Sequence, residues 1–367
     1  MPIFGTQRQT SLMLPTAAGA VEETGGRPAV TAASVAPTRQ ALGFICPRCH
    51  GALANDADAF HCAACQLSFP VVLGIPDFRL EPDPWISLED DREKARRLES
   101  RCRGASLEGM VRTYWSMTPG TPAAQAERFV QHVMTAADRS REWLGHLGEP
   151  NDDRQPWLDV GTGTGDLAVV VAERGHAVVG VDVAMRWLVV ARRRAELAGV
   201  EAEFVCCNAE FLPFLPGTFA RVASAGTIEH CSDARRALSE ARRVTAAGGD
   251  VRLRTVNRYT MLAEPHVGIW GVGFVPRPLA DRYVRWRGGQ GYAHHHPLSP
   301  RELRRGLTWA GFADVRVEAA PMLGSERARL GGASWVADVY EHARRLPIAR
   351  SAIRWSAPLL EAAGVAA

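Results

Sequence analysis

Residues 157–165 read WLDVGTGTG, and the organisation of the whole chain can be worked outward from them. WLDV is a short apolar run of the kind that forms a buried strand, and it leads straight into Gly161, Gly163 and Gly165. Glycine allows tight curvature and close approach of a ligand at the carboxyl end of a first strand. The spacing is G-x-G-x-G, because Asp166 stands where a dinucleotide-type loop would carry its third glycine. The next run, DLAVVVAERG, reads as a helix stopped by a glycine, and HAVVGVD as a second strand ending in Asp182. An acid at that place can accept hydrogen bonds from both hydroxyls of a ribose.

Strand and helix go on alternating. Residues 185–199 form a helix ending at Gly199, AEFVCCNA (202–209) a third strand and FARVASAG (219–226) a fourth. A helix over 233–249 precedes the fifth strand, DVRLRTVN (250–257). After about forty irregular residues the rhythm resumes with a helix over 300–310 and the strand ADVRVEA (313–319). Helices of this length between strands imply an α/β fold with a doubly wound, mostly parallel sheet. Residues 1–42 are read as a disordered arm and 81–122 as a connector. The catalytic domain is expected over 123–330, with a substrate cap at about 258–299 and a helical extension over 331–367.

The runs LDVGTGTG (158–165), GVDVA (180–184), CNAEFLPFLPGTFARVASAGTIEHCSD (207–233) and ARRVTAAGGDVRLRT (241–255) resemble the class I, Rossmann-like methyltransferases that use S-adenosylmethionine. By that resemblance Asp159, Gly161, Gly163 and Gly165, with Thr162 between them, surround the methionine portion of S-adenosylmethionine. Asp182 would hold the ribose hydroxyls and Val183 would flank the adenine, with Asn208 and Ala209 against its edge. Family members commonly carry Asp where this chain has Asn208. An amide oxygen still accepts a hydrogen bond but brings no charge.

Cys46-Pro-Arg-Cys49 and Cys62-Ala-Ala-Cys65 form C-x2-C-x12-C-x2-C. Two such knuckles complete a closed tetrahedral zinc site, structural because no coordination position stays open. Four buried free thiols are the plain alternative. With the run FPVVLGIPDF (69–78), residues 43–80 resemble the small zinc proteins that activate tRNA methyltransferases and the ribbons fused to some bacterial methyltransferases. So short a unit is expected to fold on its metal and independently of the catalytic domain. The other four cysteines lack ligand spacing and read as buried small residues.

The fourth strand ends at Gly226-Thr-Ile-Glu229-His230 and therefore faces the transferred methyl. His230 is the first candidate for a general base and His266 the second; a Glu-His pair at this place also often only supports its loop. The run His294-His295-His296 is read as a loop without metal, since neighbours in an extended chain point alternately.

Across 367 residues, 43 basic groups balance 40 acidic ones, a net charge of +3 that does not mark a nucleic-acid binder. Lys94 is the single lysine, so clusters of arginine reflect composition as much as selection. No apolar run of about 18 residues exists and no secretory leader is legible, so no membrane span and a cytoplasmic enzyme are expected. The favoured function is methyl transfer to a small-molecule acceptor, a natural-product, glycan or lipid precursor. An RNA methyltransferase docking substrate through the ribbon, and a non-catalytic cofactor-binding partner, are the alternatives. Oligomeric state is not legible in the sequence.

Overall fold

The computed structural model describes residues 42–148, 155–289, 291–328 and 331–367, which form a four-stranded sheet followed by a seven-stranded one. Of the arm expected over 1–42, only Leu42 is among the described residues. The small sheet is antiparallel, in the order β1 (Ala54–Asn55), β2 (Ala59–Cys62), β3 (Leu67–Val72) and β4 (Ile75–Pro76).

The independence expected of this unit is not what the packing shows. Its Leu42, Phe69 and Phe78 lie in one core cluster with Phe214 and Phe219 of the large domain. The Phe44 ring centroid stands 5.0 Å from that of Phe78 and 5.8 Å from that of Phe214. Strands this short bury too little apolar surface to be stable by themselves, so they complete a neighbour's core instead.

Four helices follow: α1 (Leu88–Arg101), α2 (Leu107–Ser116), α3 (Ala123–Met134) and α4 (Ala136–Leu147). Ser87 and Ser106 cap the first two by accepting from the backbone N–H of Asp90 and Gly109. The alternation read from the sequence then appears as β5 (Trp157–Val160), α5 (Asp166–Glu173), β6 (Val178–Asp182), α6 (Met185–Ala198), β7 (Glu203–Cys206), β8 (Phe219–Ala225), α7 (Ala234–Val244) and β9 (Thr245–Val256). The segment that follows β9 carries α8 (Arg277–Trp286). Beyond it come α9 (Pro300–Ala310), β10 (Phe312–Ala319), α10 (Gly324–Ala328), α11 (Trp335–Arg345), α12 (Pro347–Ser356) and β11 (Leu359–Ala366).

The large sheet runs β10-β11-β9-β8-β5-β6-β7, parallel from β9 to β7. β11 inserts between β9 and β10 and is antiparallel to both. The segment 331–367, expected to be helical throughout, thus ends in a central strand. LLEAAGVA alternates half-buried and buried positions, but its alanines and glycine have low strand propensity. What holds it is a partner on each side. The order reverses between β5 and β8, so the carboxyl ends of β5, β6 and β8 flank one crevice.

Candidate active site

At the end of β5 the backbone N–H groups of Gly161 and Thr162 both donate to the carbonyl of Val181, at 2.8 and 2.9 Å. This folds the loop back over β6. A Cβ on Gly161 would stand 1.9 Å from Thr227 Oγ1, and one on Gly165 2.7 Å from Ala191 Cβ. Those two glycines therefore admit the loop after β8 and the body of α6. Gly163 differs: a Cβ there meets nothing within 4 Å, and the residue lines a cavity of about 550 Å³. Its N–H donates to Asp182 Oδ2 at 2.9 Å, while Ala184 N–H donates to Oδ1 at 2.8 Å. Burial pushes the Asp182 carboxyl up to about 6.

Gly161, Thr162, Gly163, Asp182 and Val183 line this cavity, and Asp159, Gly165, Asn208 and Ala209 do not. Asp159 is buried behind the loop and accepts from Thr162 Oγ1 at 2.6 Å; burial raises its carboxyl to about 7. The amide of Asn208 is engaged elsewhere. Its Oδ1 accepts from the N–H groups of Leu80 and Glu81, at 3.0 and 3.2 Å, and its Nδ2 donates to the Glu81 carbonyl at 3.1 Å. It ties the exit of the small sheet to the edge of the large one, where Phe78 N–H also donates to the Cys206 carbonyl at 2.7 Å.

Beside that junction lies a buried ionic network. Arg79 reaches Asp77 at 2.6 Å and Asp91 at 2.7 Å, and Arg186 reaches Asp91 and Asp83, both at 2.7 Å. Asp91 Oδ2 also accepts from Met185 N–H at 2.8 Å, and Arg79 donates to the Val183 carbonyl at 3.0 Å. Asp83, Val183 and Arg186 line the cavity, so the small sheet and α1 brace its wall. Trp85 of the connector and the aromatic residues Tyr114, Trp115, Phe129 and Trp143 of α2–α4 extend the lining. Phe129, Trp143 and Val183 fall within the catalytic domain expected over 123–330, whereas Asp83, Trp85, Tyr114 and Trp115 belong to the stretch read as a connector, whose sequence does not mark them as a wall.

Glu229, His230, His266 and His294 also line the cavity. The Glu229 carboxylate accepts from Thr255 Oγ1 at 2.8 Å, and burial raises its pKa. The His266 Nδ1 lies 2.5 Å from Glu264 Oε1. Burial opposes charge on that ring, yet the Glu264 hydrogen bond and charge outweigh it and raise the pKa. Burial drives His230 well below the ordinary histidine value, and its Nε2 is enclosed without a partner. His295 Nδ1 is enclosed and unpartnered as well. The structure thus brings together both histidines singled out in the sequence and adds Glu264 and His295, which no spacing rule connects to them.

In the small sheet the four cysteine sulfurs lie within 4.8 Å of one another, with Cys46–Cys65 at 4.0 Å and Cys49–Cys62 at 3.6 Å. Four thiolates about 2.3 Å from zinc stand about 3.8 Å apart in a tetrahedron, so this cluster fits that ion.

Residues 158–249 match the methyltransferase domain family. The demethylmenaquinone methyltransferase of Thermus thermophilus is 39% identical over 174 residues, covering 44% of this chain and 75% of that protein. The chain belongs to the S-adenosylmethionine-dependent methyltransferases. This methyltransferase is also 30% identical over 161 residues to the ubiquinone biosynthesis O-methyltransferase of Idiomarina loihiensis, spanning 62% of that protein's length. Among solved structures it is similar to phosphoethanolamine N-methyltransferase 2 of Haemonchus contortus with bound S-adenosylmethionine, at 22% identity and a TM-score of 0.43, covering 62% of this chain and 52% of the other. The family match spans the glycine loop, Asp182 and the parallel strands as far as the start of β9; the small sheet and residues 258–299 lie outside 158–249. No helix among the described residues is long and apolar enough to cross a membrane.

Proposed function

We propose that the methyltransferase acts on a hydroxyl group of a small aromatic acceptor of the quinol type, with a structural zinc ion in its four-cysteine cluster. One observation carries this reading. A single cavity is lined both by Gly163 and Asp182 and by Glu229, His230 and His266. Its volume of about 550 Å³ suits a cofactor and a compact acceptor. The names of the two curated relatives, quinone-pathway methyltransferases both, agree with that acceptor class.

Bound in the cavity, S-adenosylmethionine supplies a methyl group on a sulfonium. Asp182 accepts from the ribose hydroxyls through the lone pairs that Gly163 and Ala184 leave free. Gly161, Thr162 and Gly163 receive the methionine portion, Asp159 and Gly165 hold their loop in shape, and Val183 flanks the adenine. Asn208 and Ala209 serve that end at one remove, Asn208 by fixing Leu80 and Glu81. Trp85, Trp115 and Phe129 exclude water, which an in-line displacement needs. His230 and His266 are the catalytic residues, presenting ring nitrogens to the reactive atom of the acceptor.

The charge of the small sheet argues against RNA as the acceptor. Asp77 and Arg79 are buried in the ionic network, which leaves Arg48 facing outward with Asp56 and Asp58. A surface of that sign gains nothing from phosphates. The test supplies labelled S-adenosylmethionine with hydroxylated quinols or with total RNA. Label is expected in the quinol; robust incorporation into RNA would overturn the reading and make the ribbon a substrate reader.

A further inference from the structure

The imidazoles of His230, His266 and His295 cluster with the carboxylates of Glu229 and Glu264, and His230, His266 and Glu229 line the cavity. The ring centroids of His230 and His266 are 4.7 Å apart, those of His266 and His295 4.6 Å, and those of His230 and His295 5.2 Å. A carboxylate oxygen of Glu229 and one ring nitrogen each of His230 and His266 lie within 4.8 Å of one another. His230 Nε2, shut off from solvent, has no partner. A buried ring nitrogen without a hydrogen bond costs free energy that the fold recovers only when something occupies the space it faces.

We propose that Glu229, His230 and His266 bind a divalent transition-metal ion, and that the ion takes the acceptor oxygen as a further ligand. Two imidazoles and one carboxylate suit zinc, iron or nickel better than magnesium or calcium, which prefer all-oxygen shells. Donor–metal distances of about 2.0–2.2 Å require the three groups to close by on the order of 1 Å, within side-chain reach. Two of the three ligands are already held from behind, as metal ligands are. Glu264 engages His266 Nδ1 and Thr255 donates to Glu229. Glu264 is fixed in turn by the N–H groups of His266 and Val267, at 2.8 and 3.1 Å. Three protein ligands leave a position open toward the cavity that all three line.

The chemistry rests on the acceptor reading above. A hydroxyl that takes the open position releases its proton to bulk solvent as it binds and stands as an oxyanion on the ion. An oxygen lone pair then forms the new C–O bond to the methyl carbon. The sulfur–carbon bond breaks with its electron pair passing to sulfur, leaving S-adenosylhomocysteine. His230 and His266 act in this scheme as ligands, and the ion removes the need for either to take the proton.

The experiment counts metal in the full chain. Protein stripped with a chelator is reloaded with Zn2+ alone, desalted and analysed by mass spectrometry, in the wild type and in His266→Ala and Glu229→Gln. Each variant should hold one equivalent less zinc than the wild type, whatever the cysteine cluster contributes to both. Cofactor affinity, measured on the same preparations by calorimetry, should stay within about threefold and certify the fold. If His266→Ala does not fold, the near-isosteric Glu229→Gln and His230→Asn carry the comparison. Reloading with Co2+ gives a second readout, a visible band of the nitrogen–oxygen site that the variants lose while thiolate charge-transfer bands persist. Equal zinc counts in folded variants and wild type would overturn the metal site and leave quinol methylation standing. A one-equivalent loss alongside failed quinol methylation would uphold the site and overturn the acceptor reading alone.

Discussion

Asp91→Ala is the sharpest probe of how the small sheet supports the cofactor site. Asp91 is fully buried and holds two guanidinium groups, those of Arg79 and Arg186, each at 2.7 Å, together with the Met185 N–H. Removing one partner of a buried ion pair costs about 3–5 kcal/mol, because the other charge stays buried and uncompensated. Here Arg79 keeps Asp77 and Arg186 keeps Asp83. The loss should therefore fall at the lower end, about 3 kcal/mol. It should reach the cavity as well, since Arg186 and Asp83 form part of its wall and Arg79 steadies the Val183 carbonyl. A displaced wall should weaken S-adenosylmethionine by about tenfold, equivalent to about 1.4 kcal/mol. Urea unfolding followed by tryptophan fluorescence measures the first quantity and titration calorimetry the second. An unfolding midpoint and an affinity both matching the wild type would refute the reasoning, and the network would then be an ornament of the connector.

Two further predictions concern the ends of that network. The Asp182 carboxyl is raised to about 6 by burial, and in the role proposed for it, holding two ribose hydroxyls, it has to be ionised. Affinity for S-adenosylmethionine should therefore be full above about pH 7 and fall as pH drops below about 6, by up to about tenfold per unit. Asp182→Asn should lower affinity about tenfold and flatten that dependence; calorimetry across pH 5–8 with an unaltered slope would contradict the assignment. Cys46→Ser combined with Cys65→Ser should release one equivalent of zinc and, because Phe69 and Phe78 share a core with Phe214 and Phe219, weaken cofactor binding too. Cofactor affinity that survives loss of the ribbon metal would show the two units to be energetically separate.

Much of the cofactor half is local in character. A strand, a glycine turn and an acid at the end of the next strand are neighbours in sequence, and the period of the apolar residues reports which faces are buried. WLDVGTGTG and GVDVA therefore disclose β5, β6 and the place of Asp182 at the end of β6. Spacing likewise brought Cys46, Cys49, Cys62 and Cys65 together as one ligand set. Asn208 shows the limit of such reading. The family resemblance puts it at the adenine edge, yet its amide is engaged by Leu80 and Glu81, which lie far away in sequence.

By itself, then, the sequence determined the class of sheet, the glycine loop with its acid and the four-cysteine set, since each depends on residues within one or two elements. Tertiary structure alone decided the rest. β11 became a central strand because β9 and β10 offered partners on both sides, although its alanines have little preference for that state. The small sheet merged with the catalytic domain because neither could enclose Phe78 and Phe214 alone. Glu264, His266 and His295 converged on Glu229 and His230 from the irregular segment after β9, along a path with no sequence period. Contacts between distant segments depend on how the chain closes its loops in space, and a one-dimensional pattern carries no record of that closure.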